Sequence, residues 1–134
     1  MKVSPEVLLN QLGTAANGLL YPSETDAPFI PFAWETMRDF SVDKLLLATR
    51  HSRDTPVDGM EPDDFFAPVE HVEEWFDDSE RATAERFAAL HDTLEDLLTD
   101  ISVYRVGTVD IDVYVIGKTA DGYFAGVSTK LVET

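Results

Sequence analysis

Cysteine is absent from this chain of 134 residues, so neither a disulfide bond nor a thiolate metal site is possible. Lysine is scarce, with four in the whole chain, and residues 54–80 contain neither lysine nor arginine. Nucleic acids and anionic lipid surfaces are bound through clustered Lys and Arg side chains. The composition therefore argues against both as direct ligands.

Long apolar runs are also missing. No stretch approaches the roughly 18 apolar residues that a membrane span needs, and residues 1–13 lack the apolar centre of a signal peptide. We therefore expect a cytoplasmic protein that does not contact a membrane. An apolar content of 44% is enough to fill one core without crosslinks, which predicts a single domain over residues 1–134 and a monomer when free.

Motifs of common catalytic sites are absent: there is no HExxH, no GxSxG and no glycine-rich phosphate loop. His51, His71 and His91 have no neighbouring ligand pattern, so we expect surface or capping roles for them. Asp110 and Asp112 alternate along a strand and share a face, which is more typical of a solvated surface than of an acid-base pair. We therefore expect that the protein is not an enzyme and that it holds no cofactor and no metal ion of its own.

What the chain does have is a local excess of acid. Residues 54–80 contribute −11 to a net charge of −16 through Asp54, Asp58, Glu61, Asp63, Asp64, Glu70, Glu73, Glu74, Asp77, Asp78 and Glu80. Solubility or adaptation to high salt would instead spread acids over the whole surface. A concentrated negative field attracts proteins that bind nucleic acid, because their Lys and Arg side chains respond to carboxylate as to phosphate at long range. A basic protein partner is the prediction.

Helices are predicted in the first three quarters of the chain. Ser4-Pro5-Glu6 has the residues of a helix start and Gly18 those of a stop, and Ser41 can cap a short helix. Residues 29–34 suggest a short strand. Residues 55–75 suggest mainly loop with one helical turn at 63–67, because Pro56, Gly59 and Pro62 interrupt them. Apolar residues at three and four residue steps predict a long helix over residues 79–100.

The last third changes to a period of two. Residues 103–106, 110–118 and 123–133 predict three strands, with a turn at Ala120-Asp121-Gly122 between the second and the third. Helices followed by a meander, without a βαβ rhythm, predict an α+β fold in which the meander and the early strand form one antiparallel sheet covered by helices.

Three positions are candidates for contact with a partner. Trp75 lies among Glu73, Glu74, Asp77 and Asp78, which favours an exposed anchor, although a core tryptophan beside Phe76 is the alternative. Glu24 lies in a polar turn between prolines that could hold it rigidly. Thr134 follows a strand pattern directly and offers hard oxygen donors suited to Mg²⁺ or to a basic pocket.

Several segments together resemble the nuclease A inhibitor family. They are Gly18-Leu19-Leu20-Tyr21 followed by Ser23-Glu24, then Pro28-Phe29, Trp75-Phe76-Asp77-Asp78 and, most specifically, three segments near the end: residues 103–107, 112–117 and 125–134. The resemblance implies an α-β-α sandwich similar to plant pathogenesis-related proteins. It also implies a stoichiometric inhibitor of a metal-dependent, sugar-nonspecific nuclease.

The resemblance assigns roles to the candidate residues. It implies that Glu24, Trp75 with Glu73 and Glu74, and Thr134 contact the nuclease, and that an oxygen of Thr134 reaches the catalytic Mg²⁺ of that partner. A family member has Gln and Asp before this tryptophan, where the present chain has two glutamates. The alternative function is an acidic interaction module, or nucleic-acid mimic, for another basic protein.

Overall fold

The computed structural model describes residues 4–134, which form four helices, a five-stranded sheet and a two-stranded sheet. In chain order the elements are α1 (Pro5–Ala16), β1 (Leu20–Tyr21), β2 (Ala27–Pro28), β3 (Ile30–Trp34), α2 (Val42–Ala48), β4 (Val57–Met60), α3 (Pro62–Glu70), α4 (Asp78–Leu97), β5 (Leu98–Val106), β6 (Asp110–Thr119) and β7 (Phe124–Val132). The predicted α+β class is confirmed. Residues 1–3, part of the segment searched for a signal peptide, lie outside the described residues.

The larger sheet has the strand order β3-β7-β6-β5-β4, and each neighbouring pair is antiparallel. Strands β5, β6 and β7 are the predicted meander, and the early strand β3 joins the same sheet as expected; the structure shows that it pairs with β7. The turn between β6 and β7 closes through the Gly122 N–H, which donates to the Thr119 carbonyl at 3.0 Å. Gly122 has a φ of 93°, a conformation that glycine adopts readily.

Helices cover both faces of this sheet. Alternate residues of β6, such as Val113 and Val115, are buried in the main core together with residues of α1, α3 and α4. Tyr114 points to the opposite face, where it packs against the smaller cluster that contains Leu45 and Leu46 of α2. The arrangement is the α-β-α sandwich that the resemblance implied. No helix in residues 4–134 combines the length and apolar character needed to cross a membrane.

The predicted helix starts are confirmed. The Ser4 hydroxyl accepts from the Val7 N–H at 3.3 Å, and the Ser41 hydroxyl accepts from the Lys44 N–H at 3.1 Å. Each bond satisfies a backbone donor that has no partner within its helix. Pro5 stands in the first turn of α1, where its missing N–H does no harm.

The long helix ends earlier than predicted. Helix α4 stops at Leu97, and Leu98 already pairs with Thr119 in β5. Ile101, which directly follows the predicted helix, also lies in β5. No Gly or Pro marks this boundary in the sequence, so pairing with β6 decides it. A register shift between Thr99 and Ser102 absorbs the change of direction at the start of the strand.

The prediction of mainly loop over residues 55–75 is wrong. Strand β4 pairs with β5 at the edge of the sheet, and α3 is nine residues long. Pro62 falls in the first turn of α3, where proline is tolerated. Gly59 lies opposite Tyr104 in the edge strand β4, so glycine does not break the strand as the sequence pattern suggested.

Candidate functional site

A hairpin loop holds Glu24 at the end of the sheet. Strands β1 and β2 pair with each other, and residues 22–26 connect them. The Ser23 hydroxyl donates to the Thr25 carbonyl at 2.6 Å and accepts from the Val132 N–H at 3.1 Å. The Glu24 N–H donates to the Val132 carbonyl at 3.3 Å. The loop is thus bonded to the end of β7 by both backbone and side chain, which supports the expectation of a rigidly held turn.

Glu24 and Thr134 contact each other directly. The Thr134 N–H donates to Glu24 Oε2 at 2.6 Å, and the Thr134 hydroxyl lies 2.8 Å from Oε1 and 3.0 Å from Oε2. A carboxylate accepts both bonds, and charge-assisted bonds of this kind are the stronger ones. Because the hydroxyl proton is directed at Glu24, the lone pairs of Thr134 Oγ1 remain available to another ligand.

An open cleft of about 500 Å³ lies beside this pair. Glu24 and Thr134 form part of its lining, and Asp64 and Pro68 of α3 form another part. Arg105 also lines the cleft, and its Nη2 lies 2.5 Å from Glu133 Oε1. The cleft therefore combines a fixed carboxylate, a hydroxyl and a guanidinium that is already paired.

Tyr21 connects the hairpin to α3. Its hydroxyl donates to the Phe65 carbonyl at 2.6 Å, and its ring stacks on the Phe65 ring with centroids 4.3 Å apart. Burial raises the pKa of the Tyr21 phenol above its usual value. The contact fixes the wall of the cleft that carries Asp64 relative to the loop that carries Glu24.

Trp75 lies in a turn between α3 and α4. The Phe76 N–H donates to the Glu73 carbonyl at 3.1 Å, which closes a four-residue turn with Glu74 and Trp75 at its centre. The tryptophan is 76% exposed, so its predicted exposure is confirmed and the core alternative is wrong. The indole contacts the Phe76 ring edge-on, with the ring centroids 6.4 Å apart.

The turn that carries Trp75 is anchored on its C-terminal side. Asp77 and Glu80 form a capping box at the start of α4: the Glu80 N–H donates to Asp77 Oδ1 at 2.7 Å, and the Asp77 N–H donates to Glu80 Oε1 at 3.0 Å. Glu73 Oε1 lies 2.6 Å from His71 Nε2, so this glutamate is partly engaged within the protein. Glu74 and Trp75 are exposed for contact.

The structure thus joins two of the predicted site residues and holds the other three on a separate turn. Glu24 and Thr134 form one group, and Glu73, Glu74 and Trp75 form the other. Helix α3 connects the two groups: some of its residues line the cleft beside Glu24 and Thr134, and its C-terminal end leads into the turn that carries Trp75. Nine of the eleven carboxylates in residues 54–80 are exposed, and only Glu70 and Glu73 are half-buried.

Two expectations about titratable groups are wrong. His91 is buried, at 9% exposure, and is not a surface residue. Asp112 is paired: its Oδ2 lies 2.8 Å from His51 Nε2 and its Oδ1 2.9 Å from Lys130 Nζ. Lys130 lies directly opposite Asp112 in the pairing of β6 with β7, whereas His51 follows α2, and only the packing of α2 on the sheet brings it to Asp112.

The environment of His51 includes a hydroxyl, an imidazole and a carboxylate in series. Thr49 Oγ1 lies 2.6 Å from His51 Nδ1, on the side of the ring opposite Asp112. A nucleophilic hydroxyl must give its proton to the base. The Thr49 hydroxyl instead donates to the Leu45 carbonyl at 2.7 Å, near the C-terminal end of α2. This geometry favours a helix-end contact over an activated nucleophile.

Three supporting residues of the site were not predicted from the sequence. Ser23 fixes the loop, Tyr21 ties it to α3, and Arg105 neutralises Glu133 at the cleft. Ser23 had a usable signal, because a serine in a short turn commonly bonds to backbone two residues away. Tyr21 and Arg105 carry no such local signal, since their partners are 44 and 28 residues away.

The family model described as nuclease A inhibitor-like protein matches residues 6–134, nearly the whole chain. No curated protein matches the sequence.

Proposed function

Because the chain belongs to the nuclease A inhibitor-like family, we propose that it is a stoichiometric inhibitor of a metal-dependent, sugar-nonspecific nuclease. The match over residues 6–134 is the observation that carries the proposal. The protein would bind the nuclease in the cytoplasm as a monomer, before the nuclease is exported. Inhibition would need no chemistry by the protein itself.

Charge explains how the complex would form. A nonspecific nuclease binds phosphates through a basic groove. The net charge of −16 and the exposed carboxylates of residues 54–80 would steer the inhibitor into that groove, and steering of this kind raises association rates. The same field would attract other basic proteins, which is the reason that an acidic interaction module is the second candidate.

Thr134 would supply the contact with the metal. Its hydroxyl proton is directed at Glu24, so its oxygen lone pairs can face the Mg²⁺ of the nuclease. In this arrangement Glu24 acts as a positioning residue that holds Thr134 through two groups, the N–H and the hydroxyl. The oxygen would take the position of a phosphate oxygen of the substrate, and substrate would be excluded.

Trp75 would be the apolar anchor of the second contact. An exposed tryptophan on a closed turn loses little conformational freedom on binding, and tryptophan is among the residues that most often dominate interface energies. Glu74, beside Trp75, is exposed, and its side chain makes no hydrogen bond within residues 4–134. It would therefore be available to a basic residue of the nuclease.

The test is a titration of purified protein into a fixed concentration of a Mg²⁺-dependent, sugar-nonspecific nuclease, with DNA and RNA cleavage as the readout. We expect linear loss of activity to a break at one inhibitor per nuclease, and a protein lacking Thr134 should need a large excess. Binding by calorimetry without loss of cleavage would favour the acidic interaction module. Lack of binding to every nuclease of this class would contradict the proposal.

A further inference from the structure

A second cluster of potential ligands lies between α3 and α4, and none of its residues lines the cleft. Asp63 is in the first turn of α3, and His91 and Glu95 are one turn apart on α4. The His91 imidazole is buried and stacks on the Phe66 ring, with centroids 4.5 Å apart. Packing therefore fixes the orientation of the ring.

The free ring nitrogen of His91 faces two carboxylates. His91 Nε2 lies 3.0 Å from Glu95 Oε1 and 3.3 Å from Asp63 Oδ1. It is nevertheless a buried nitrogen without a hydrogen-bond partner in the described residues, since neither oxygen lies in a suitable direction. A polar atom in this condition is uncommon and calls for an additional partner.

The distances suit a metal ion. Nitrogen and oxygen ligands bind Zn²⁺ at about 2.0–2.1 Å, and in tetrahedral geometry such ligands lie about 3.3 Å from each other. The two separations measured from His91 Nε2 are close to that value. The three ligand atoms all lie within 4.8 Å of one another.

Glu70 supports the imidazole from the other side. Its Oε1 lies 2.7 Å from His91 Nδ1, and because a carboxylate can only accept, the Nδ1 N–H donates to it; a metal ion would then bind through Nε2. Histidines that bind metals commonly donate their other N–H to a carboxylate, which fixes the tautomer and makes the ligating nitrogen more basic.

We propose that Asp63, His91 and Glu95 form a binding site for a divalent transition metal ion of the Zn²⁺ class. One imidazole and two carboxylates suit such an ion better than Mg²⁺ or Ca²⁺, which prefer oxygen ligands alone. The Asp63 and Glu95 side chains are largely exposed, at 84% and 54%, so the ion can enter from solvent and water can complete its coordination.

The bound ion would join the two helices on either side of the turn that carries Trp75. Residues 71–77 leave α3 and enter α4, and the ligands come from both helices. The ion would therefore stabilise the α3–α4 pair. The site does not depend on nuclease inhibition and can be tested without a nuclease.

The test is calorimetric titration of the metal-free full chain with ZnCl₂, and then with MgCl₂, in moderate salt. We expect saturable Zn²⁺ binding at one ion per chain, and no displacement by Mg²⁺. Asp63→Asn and Glu95→Gln should each weaken Zn²⁺ binding by about 10-fold or more, and Glu70→Gln by about 10- to 100-fold. Asp92→Asn is the matched control, because it removes the same charge from an exposed position of the same helix.

A second readout separates a bound ion from general attraction to the acidic surface. At one fixed concentration, Zn²⁺ should raise the melting temperature of the wild type and of Asp92→Asn clearly more than that of Asp63→Asn, because the stabilisation depends on the affinity of the folded site. The His91 Nε2 resonance in nitrogen-15 NMR should shift on addition of Zn²⁺. Three results would each overturn the proposal: equal losses of Zn²⁺ affinity in Asp92→Asn and Asp63→Asn, no saturable Zn²⁺ binding, or an Nε2 resonance that Zn²⁺ does not shift.

Discussion

The carboxylate of Glu24 accepts hydrogen bonds from both the N–H and the hydroxyl of Thr134, 110 residues further along the chain. The two candidate contact residues that are farthest apart in sequence thus form one unit. A change at either residue therefore alters the surroundings of the other.

Changing Glu24 and deleting Thr134 together should weaken nuclease binding little more than either change alone. Glu24→Gln and deletion of Thr134 should each weaken nuclease binding about 10-fold or more, because each breaks the charge-assisted bonds that orient the other residue. The double variant should lose about as much as the weaker-binding single variant. Calorimetric titration of the wild type, the two single variants and the double variant gives the coupling free energy between Glu24 and Thr134.

Asp26→Asn is the control for this cycle, because it removes a charge from the same loop without touching Thr134. Independent effects that add in the double variant would contradict the positioning role of Glu24. A Thr134 deletion that leaves the Mg²⁺ dependence of binding unchanged would rule out Thr134 as the metal-directed residue.

Trp75→Ala should weaken nuclease binding by about 2 kcal/mol or more and leave the free energy of unfolding within about 0.5 kcal/mol of the wild type. The reason is that the indole is exposed in the free protein and would be buried only in the complex. Calorimetric titration and chemical denaturation of the same variant measure the two quantities. Leu47→Ala, which removes an exposed apolar side chain from α2, should change neither. A large loss of stability with unchanged affinity would show that Trp75 has a structural role instead.

Salt should slow association far more than it speeds dissociation. Exposed charges farther apart than about 8 Å are largely screened at physiological ionic strength, so the steering field should be weak in concentrated salt. Stopped-flow association between about 0.05 M and about 0.5 M NaCl should show a decrease of about 10-fold or more. Circular dichroism over the same range establishes that the fold is unchanged.

The location of the charge can be tested with matched triple variants. Changing Asp54, Asp58 and Glu61 to amides should reduce the association rate more than the same change at Glu35, Glu85 and Asp96. All six side chains are exposed, so each variant removes the same charge from the surface. Equal reductions would indicate that net charge alone, and not its concentration in residues 54–80, governs association.

The free energy of unfolding should fall at alkaline pH partly because of Tyr21. Burial raises the pKa of its phenol above 10.0, so the folded protein retains a proton that the unfolded chain releases. This contribution is fully present below pH 10 and is lost as pH rises through the pKa of the folded state. Denaturation at several pH values should show a shallower decrease for Tyr21→Phe than for the wild type.

Tyr21→Phe should also lower stability by about 1–3 kcal/mol near neutral pH, because the Phe65 carbonyl loses its donor. Tyr114 and Tyr123 have raised pKa values as well, so the difference between the two proteins isolates the share of Tyr21. Identical alkaline slopes would contradict a role of Tyr21 in the pH dependence.

The sequence by itself determined the features that rest on local rules. The caps at Ser4 and Ser41, the meander of β5 to β7 and the turn at Gly122 follow from side-chain bonds and backbone preferences within a few residues. The exposure of Trp75 also follows locally, because the charged residues around it cannot all be buried. Glu24, Trp75 and Thr134 were candidates from their neighbours in the sequence, and the family resemblance assigned their roles. Neither indicated that Glu24 and Thr134 bond to each other.

Tertiary structure alone decided the rest. The switch from α4 to β5 at Leu98 and the existence of β4 depend on strand partners elsewhere in the chain, which override local preference. The contacts of Glu24 with Thr134, of His91 with Asp63, and of Asp112 with His51 join residues 28 to 110 positions apart. Such pairs leave no period or spacing in the sequence, because only the packing of helices and strands into one sandwich brings them within bonding distance.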